Sequence, residues 1–310
     1  MIVASIAYTA TMEQRDDDAR GDSVLRALTD DGGFRVITAR TDATAQAAIA
    51  AQGVAGATAR LFAELLTGAV LYRETMAPNL RVQCILDRDG DAGANRMVAD
   101  SFPDGGNRGM VSLDEPDGDF ALGPGALLRM QRALPRGRVD QGVVAVPPDG
   151  GLSAALMTYM QESEQVLTML AVGAVDDDDG LRAGGYLVQL LPEAERGVLA
   201  VMTERLAAFD GIDALLAADA SPDELLQSLL FRIPFTRLAA SDVRYACPCS
   251  RERFAEALRT AARSEVTAAL ADGRRLETRC EFCRTSYRFD LDELAQLARL
   301  PASASAETVH

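Results

Sequence analysis

The chain has 310 residues, 48% hydrophobic and 25% charged, with a formal net charge of −15. This is ordinary globular composition with material for about two domains, and no apolar run approaches the roughly 20 residues of a membrane-spanning helix. The only histidine is His310 and all 31 basic residues are arginine, which excludes Ser-His-Asp and Cys-His nucleophile systems, HExxH zinc hydrolases, Walker A loops and Schiff-base lysines.

The N-terminal stretch MIVASIAYTATMEQRDDD has no basic region ahead of its apolar residues, so no signal peptide is expected and a reducing, cytoplasmic location is. Residues 1–191 read as an α+β domain. Phe34 to Ala39, Val82 to Leu86, Gly142 to Val146 and Tyr186 to Leu191 have strand character between Gly, Pro and Asp clusters, and Ala59 to Thr75 and Leu152 to Met160 carry apolar residues at helical spacing. Within this domain Asp87-x-Asp89-x-Asp91 imitates a calcium loop but has Ala92 and Val98 where Gly and Glu belong. The run Asp176 to Asp179 reads as a solvated turn, the lone Cys84 as an inert buried thiol, and Ser163-Glu164-Gln165 as a helix end rather than a catalytic group.

Residues 192–240 read as a linker of helices alone: Glu193 to Phe209, Ile212 to Ala218, and a third opened by Ser221, Pro222, Asp223 and Glu224, a capping-box pattern. Such short helices are marginal in water and need a neighbouring domain to lie on. Their apolar stripes are Val198, Leu199, Met202 and Leu206, then Leu225, Leu226, Leu229 and Leu230. By default these are buried core; undocked, they become a binding face.

Residues 241–300 form a third block and 301–310 a tail of disordered character. Asp242 to Cys249 reads as a strand entering a ligand turn, Ser250 caps a helix over Arg251 to Ala262, Leu276 to Phe289 is a hairpin, and Asp290 to Leu300 a short helix. Cys247-x-Cys249 and, 30 residues on, Cys280-x-x-Cys283 supply four sulfurs in two chelating pairs. One Zn²⁺ in a sulfur tetrahedron suits this pattern, with an iron–sulfur cluster as the main alternative. Metal binding worth about 10 to 16 kcal/mol exceeds what a core of this size supplies. Oxidation that joins the sulfurs removes the ligands and, if pairs form locally, unfolds the block. Arg244, Arg251, Arg253, Arg279 and Arg284 flank the ligands and are candidates for favouring thiolate.

The cysteine arrangement, together with Tyr159 and Ser163-Glu164-Gln165, Gln141-Gly142-Val143-Val144, Arg108-Gly109 and Gly184-Gly185-Tyr-Leu-Val-Gln-Leu-Leu-Pro192, resembles the heat-shock protein 33 family over nearly the whole chain. Two departures are Asp140, where the family usually has an aromatic residue, and the acidic run at 176–179. The resemblance implies an α+β client-binding domain, a helical linker and a small zinc-binding redox-switch domain. Its activity would be that of an ATP-independent holdase for unfolding proteins rather than of an enzyme, zinc-bound and inactive when reduced. It further implies that Cys247 pairs with Cys249 and Cys280 with Cys283 on oxidation, with zinc release, linker melting and homodimerisation.

Two other functions remain open at this level. A zinc-ribbon module of a regulator binding nucleic acid or a protein would show a basic face, whereas 241–300 holds 10 acidic and 11 basic residues. A dithiol oxidoreductase would keep one exposed sulfur free of metal.

Overall fold

The computed structural model describes residues 21–88, 95–115, 118–148, 150–177, 180–192, 194, 196–209 and 211–299. Asp89, Asp91 and Ala92 of the calcium-loop imitation, Asp178 and Asp179 of the acidic run, Glu193, the N-terminal stretch to 20 and the tail lie outside them, as does the side chain of Val198.

The architecture is mixed α and β, built on two sheets and the helix between them. Thirteen strands are described, beginning with β1 (Ser23–Thr29), β2 (Phe34–Arg40), β3 (Val82–Asp87), β4 (Arg96–Ser101), β5 (Gly106–Ser112), β6 (Leu127–Leu134) and β7 (Arg138–Ala145). They continue through β8 (Thr168–Asp177), β9 (Gly180–Leu190), β10 (Phe235–Asp242) and β11 (Arg244–Tyr245) to the hairpin β12 (Leu276–Arg279) and β13 (Ser286–Phe289). One sheet runs β10-β1-β2-β9-β8; the other runs β11-β5-β4-β3-β6-β7, antiparallel except for the short parallel pair β11 with β5.

Helix α2 (Gly56–Thr75), after α1 (Asp42–Gln52), packs against strands of both sheets and is therefore apolar nearly all round, with Phe62, Leu65, Leu66, Val70 and Leu71 buried. Close approach demands a glycine opposite it: a Cβ on Gly109 of β5 would stand 2.5 Å from Phe62 and 2.8 Å from the Val98 carbonyl oxygen. Arg108 and Gly109 thus belong to a strand interior. Helix α3 (Gly151–Glu162) lies beside β6, β7 and β8 and ends at Ser163, with Gln165 in the left-handed region at φ 56. Glu164 folds back to accept from the hydroxyls of Tyr72 (2.9 Å) and Tyr159 (3.1 Å) and pairs with Arg132, a helix-end network as the sequence suggests.

The linker helices are α4 (Arg196–Ala207), α5 (Ile212–Ala217) and α6 (Pro222–Leu229). The capping box forms: Ser221 Oγ accepts from the Glu224 amide while the Glu224 carboxylate takes the Ser221 amide. Strand β2 alternates, turning Ile37 and Ala39 toward α2 and Phe34 and Val36 toward the linker. Against Phe34 and Val36 pack Met202, Leu226, Leu229 and Leu230, all buried, with Leu199 and Leu206 half-buried; Leu225 joins Ile212 and Leu216 in a second patch. Thr38 and Arg40 reach the carbonyls of Pro222 and Ala220, which seats the start of α6 on β2.

The segment after Pro192 is not helices alone. β10 closes one edge of the first sheet by pairing with β1 from Ser23↔Asp242 to Thr29↔Phe235. Its exposed face carries Arg237 and Leu238 and shows no clean alternation, which hides it from a pattern reading.

Candidate metal centre

Each cysteine pair is positioned by its own local structure. Cys247-Pro248-Cys249 follows β11, whose continuation is held by the Ala246 amide donating to Asn107 (2.8 Å), and is followed at once by α7 (Arg251–Thr260). Ser250 caps that helix by accepting from the Arg253 amide, and the Arg253 guanidinium returns to the Pro248 carbonyl at 2.9 Å. Cys280 and Cys283 sit in the turn joining β12 to β13, which Cys280 and Thr285 close with a 2.9 Å amide–carbonyl bond while Arg284 takes a φ of 59.

These two local devices bring the four sulfurs within 4.8 Å of one another. Cys247 stands 3.7 Å from Cys280 and Cys249 3.3 Å from Cys283. Sulfurs about 2.3 Å from a tetrahedral zinc ion would be about 3.8 Å apart, so both the donor set and its spacing fit such an ion. Cys84 is far from this chemistry: it is wholly buried in β3 and burial pushes its thiol upward, in keeping with an inert core residue.

The thiols are unequal. Burial opposes ionisation of Cys283, but the hydroxyl and amide of Thr285 and the neighbouring thiols bring it down to about 7. Burial pushes Cys249 up to about 12, offset in part by the Tyr287 hydroxyl, and raises Cys280 as well. A cation that takes all four as thiolates must therefore displace protons, and its apparent affinity rises with pH.

Behind the sulfurs is a small core of Leu258, Val266, Ala269, Leu276, Phe289 and Leu294, contributed by α7, α8 (Arg263–Ala271), the hairpin and α9 (Leu291–Arg299). Helix α8 was not anticipated; its short alanine-rich sequence carries little periodic signal. Phe254 stacks on Tyr287 with ring centroids 4.8 Å apart, which places the Tyr287 hydroxyl 3.1 Å from the Cys249 sulfur. Tyr287→Phe will leave metal stoichiometry unchanged and weaken affinity about tenfold, the scale of losing an outer partner of a ligand. Competition with a chromophoric chelator reads this directly.

The arginines expected at the sulfurs are employed elsewhere. Arg244 pairs with Asp104, Arg251 with Glu293, Arg253 with the Pro248 carbonyl, Arg279 with the Arg284 carbonyl and Arg284 with Gln52. The guanidinium in contact with a sulfur is that of Arg108, whose Nη1 lies 3.6 Å from Cys247 Sγ. Only the parallel register of β11 on β5 brings it there, and no local spacing announces it. The acidic positions have structural partners: buried Asp87 pairs with Arg96 and Arg129, and Asp176 with Arg60.

Comparison with known proteins finds relatives over most of the chain. The family model described as Hsp33 protein matches residues 22–290. The chain is 28% identical over 287 residues to the 33 kDa chaperonin of Geobacter sulfurreducens, a match covering 89% of this chain and 94% of that protein. It is also 28% identical over 289 residues to the 33 kDa chaperonin of Syntrophotalea carbinolica, covering 89% and 99%. A solved structure, the 33 kDa chaperonin (heat shock protein 33 homolog) of Thermotoga maritima, shares the fold with a TM-score of 0.77 at 23% identity, over 90% of this chain and 98% of that one.

Proposed function

Since the chain belongs to the Hsp33 family, we propose that it is an ATP-independent holdase whose activity is switched by the redox state of Cys247, Cys249, Cys280 and Cys283. The observation that carries this reading is four sulfurs within 4.8 Å of one another beside a core too small to hold the block without them. Residues 1–191 supply the client-binding domain, 192–240 the linker and 241–300 the switch; the protein works in the cytoplasm, without membrane, nucleic acid or catalytic turnover.

In the reduced state the four cysteines hold one zinc ion, which supplies a structural cross-link between distant chain segments and no redox chemistry of its own. On oxidation Cys247 joins Cys249 and Cys280 joins Cys283. In each pair two thiolates give up two electrons and form one S–S bond; the O–O bond of one hydrogen peroxide molecule breaks and, with two protons, yields two waters. The disulfides close rings across one and two residues, so neither replaces the long link between the pairs. Without that link the block loosens, the linker helices leave the first sheet, and Met202, Leu226, Leu229, Leu230 and the faces they covered become available to unfolding proteins.

Peroxide with mild heat will release about one zinc per chain, consume four thiols, promote dimerisation and confer suppression of client aggregation, and reductant will reverse these changes. Thiol and zinc titration beside a light-scattering assay tests the proposal. Equal protection by the reduced, zinc-loaded protein refutes it.

A further inference from the structure

The Cys280–Cys283 turn is gripped from outside by two residues that metal ligation does not require. Gln52, the last residue of α1, commits its whole amide: Nε2 donates to the carbonyls of Glu281 (2.9 Å) and Phe282 (2.6 Å), and Oε1 accepts from the Val111 amide (3.1 Å) and Arg284 Nη2 (2.9 Å). Two donors and two lone pairs are the full capacity of that side chain. Three of the four bonds go to the turn and the fourth ties it to β5.

Arg108 meets the same turn from β5. Its guanidinium carbon lies 3.7 Å from the centroid of the Phe282 ring, its Nε donates to Asp100 at 2.8 Å, and its Nη1 faces the Cys247 sulfur at 3.6 Å. The Arg108 side chain is 7% exposed and that of Asp100 0%. A guanidinium anchored by a buried carboxylate keeps its direction, so the sheet presents a preset cation to one sulfur and to the aromatic ring of the turn.

We propose that Gln52 and Arg108 are the latch through which the condition of the sulfur cluster reaches the linker. The inference rests on the redox-switch reading and adds the contact that transmits it. Phe282 stands between two of the cysteines, so its carbonyl and its ring, the two handles of the latch, keep their places only while those cysteines hold the turn. Arg108 adds a charge condition, because an N–H group bonds a thiolate sulfur much more strongly than a disulfide sulfur, from which the oxidation above has withdrawn the negative charge. The gripped turn meets β11 through the Tyr245 hydroxyl, which donates to the Phe282 carbonyl at 3.5 Å; β11 begins two residues beyond the end of β10, and β10 is the element that follows the linker helices. Releasing the turn therefore loosens the strand whose Arg237 pairs with Asp223 of α6.

The test uses hydrogen–deuterium exchange on full-length, zinc-loaded protein in reductant, without oxidant or client, comparing wild type with Gln52→Ala and Arg108→Gln. Each variant is expected to keep wild-type zinc content while amides of 280–284, β10 and α6 exchange about tenfold faster. Exchange as slow as in wild type overturns the latch. Loss of zinc from both variants also overturns it, because the two residues would then support ligation rather than transmit it. Arg108→Gln removes one of the two arginines paired with the buried Asp100; if that variant fails to fold, Gln52→Ala, at a half-buried helix end, decides alone. No oxidant enters the experiment, so a wild type that oxidant cannot activate refutes the switch separately from the latch.

Discussion

Cys280→Ser protein will bind no zinc tightly, and its residues from 247 to 299 will lose their protected amides while the two sheets around α2 remain folded. Cys280 is the most buried of the four clustered cysteines, 4% exposed, and its backbone closes the turn with Thr285 and Arg284. Serine offers a poor ligand for a site built from thiolates, and no preformed site survives once the block unfolds. At a four-ligand structural zinc site metal binding free energy is folding free energy, with apparent values of about 10 to 16 kcal/mol. The six apolar residues described in the core of this block cannot replace it. Zinc titration and amide exchange of the variant check the expectation, and chelator treatment of reduced wild type should reproduce it. Retention of stoichiometric, tight zinc by Cys280→Ser would refute the four-sulfur assignment.

Leu226→Ala is expected to act at the other end of the mechanism and produce holdase activity in the reduced, zinc-loaded protein. Leu226 is 0% exposed on α6, packed with Phe34, Val36 and Val188 of the first sheet. Truncating a buried leucine costs about 2 to 5 kcal/mol from lost transfer energy and the cavity left behind. A helix of eight residues seated by one apolar face has little local stability to spend, so the loss falls first on its docking. Aggregation of a heat-denatured client, followed by light scattering without oxidant, should fall markedly relative to wild type while zinc content is unchanged. If exchange shows the linker open and the client is still unprotected, its hidden face is not where clients bind.

Features governed by neighbours in sequence were legible without the structure. The capping box at Ser221 and Glu224, the cap at Ser250 before α7 and the hairpin across Cys280 and Cys283 each follow from residues within a few positions of one another. Strands buried on both faces, such as β2 and β3, stand out as apolar runs. Strands β4 and β5 do not, because they place Arg96, Asp100 and Arg108 on a sheet face where ion pairs rather than apolar side chains fill the surface. Helix α1, DATAQAAIAAQ, is rich in alanine, which forms helix readily but marks no face. β10 escaped for the opposite reason, as an edge strand with an exposed face.

Sequence alone determined the chemistry of the centre: two cysteine pairs at chelating spacing, in a chain that lacks lysine and any internal histidine, define a sulfur site because each pair is assembled by its own turn. Tertiary structure decided what that site touches. Arg108 lies 139 residues from Cys247 and Gln52 is 230 residues from Phe282, and both meet the cluster only because β11 pairs with β5 and α1 ends beside that edge. Contacts across such separations come from the register of a folded sheet, which no local spacing encodes.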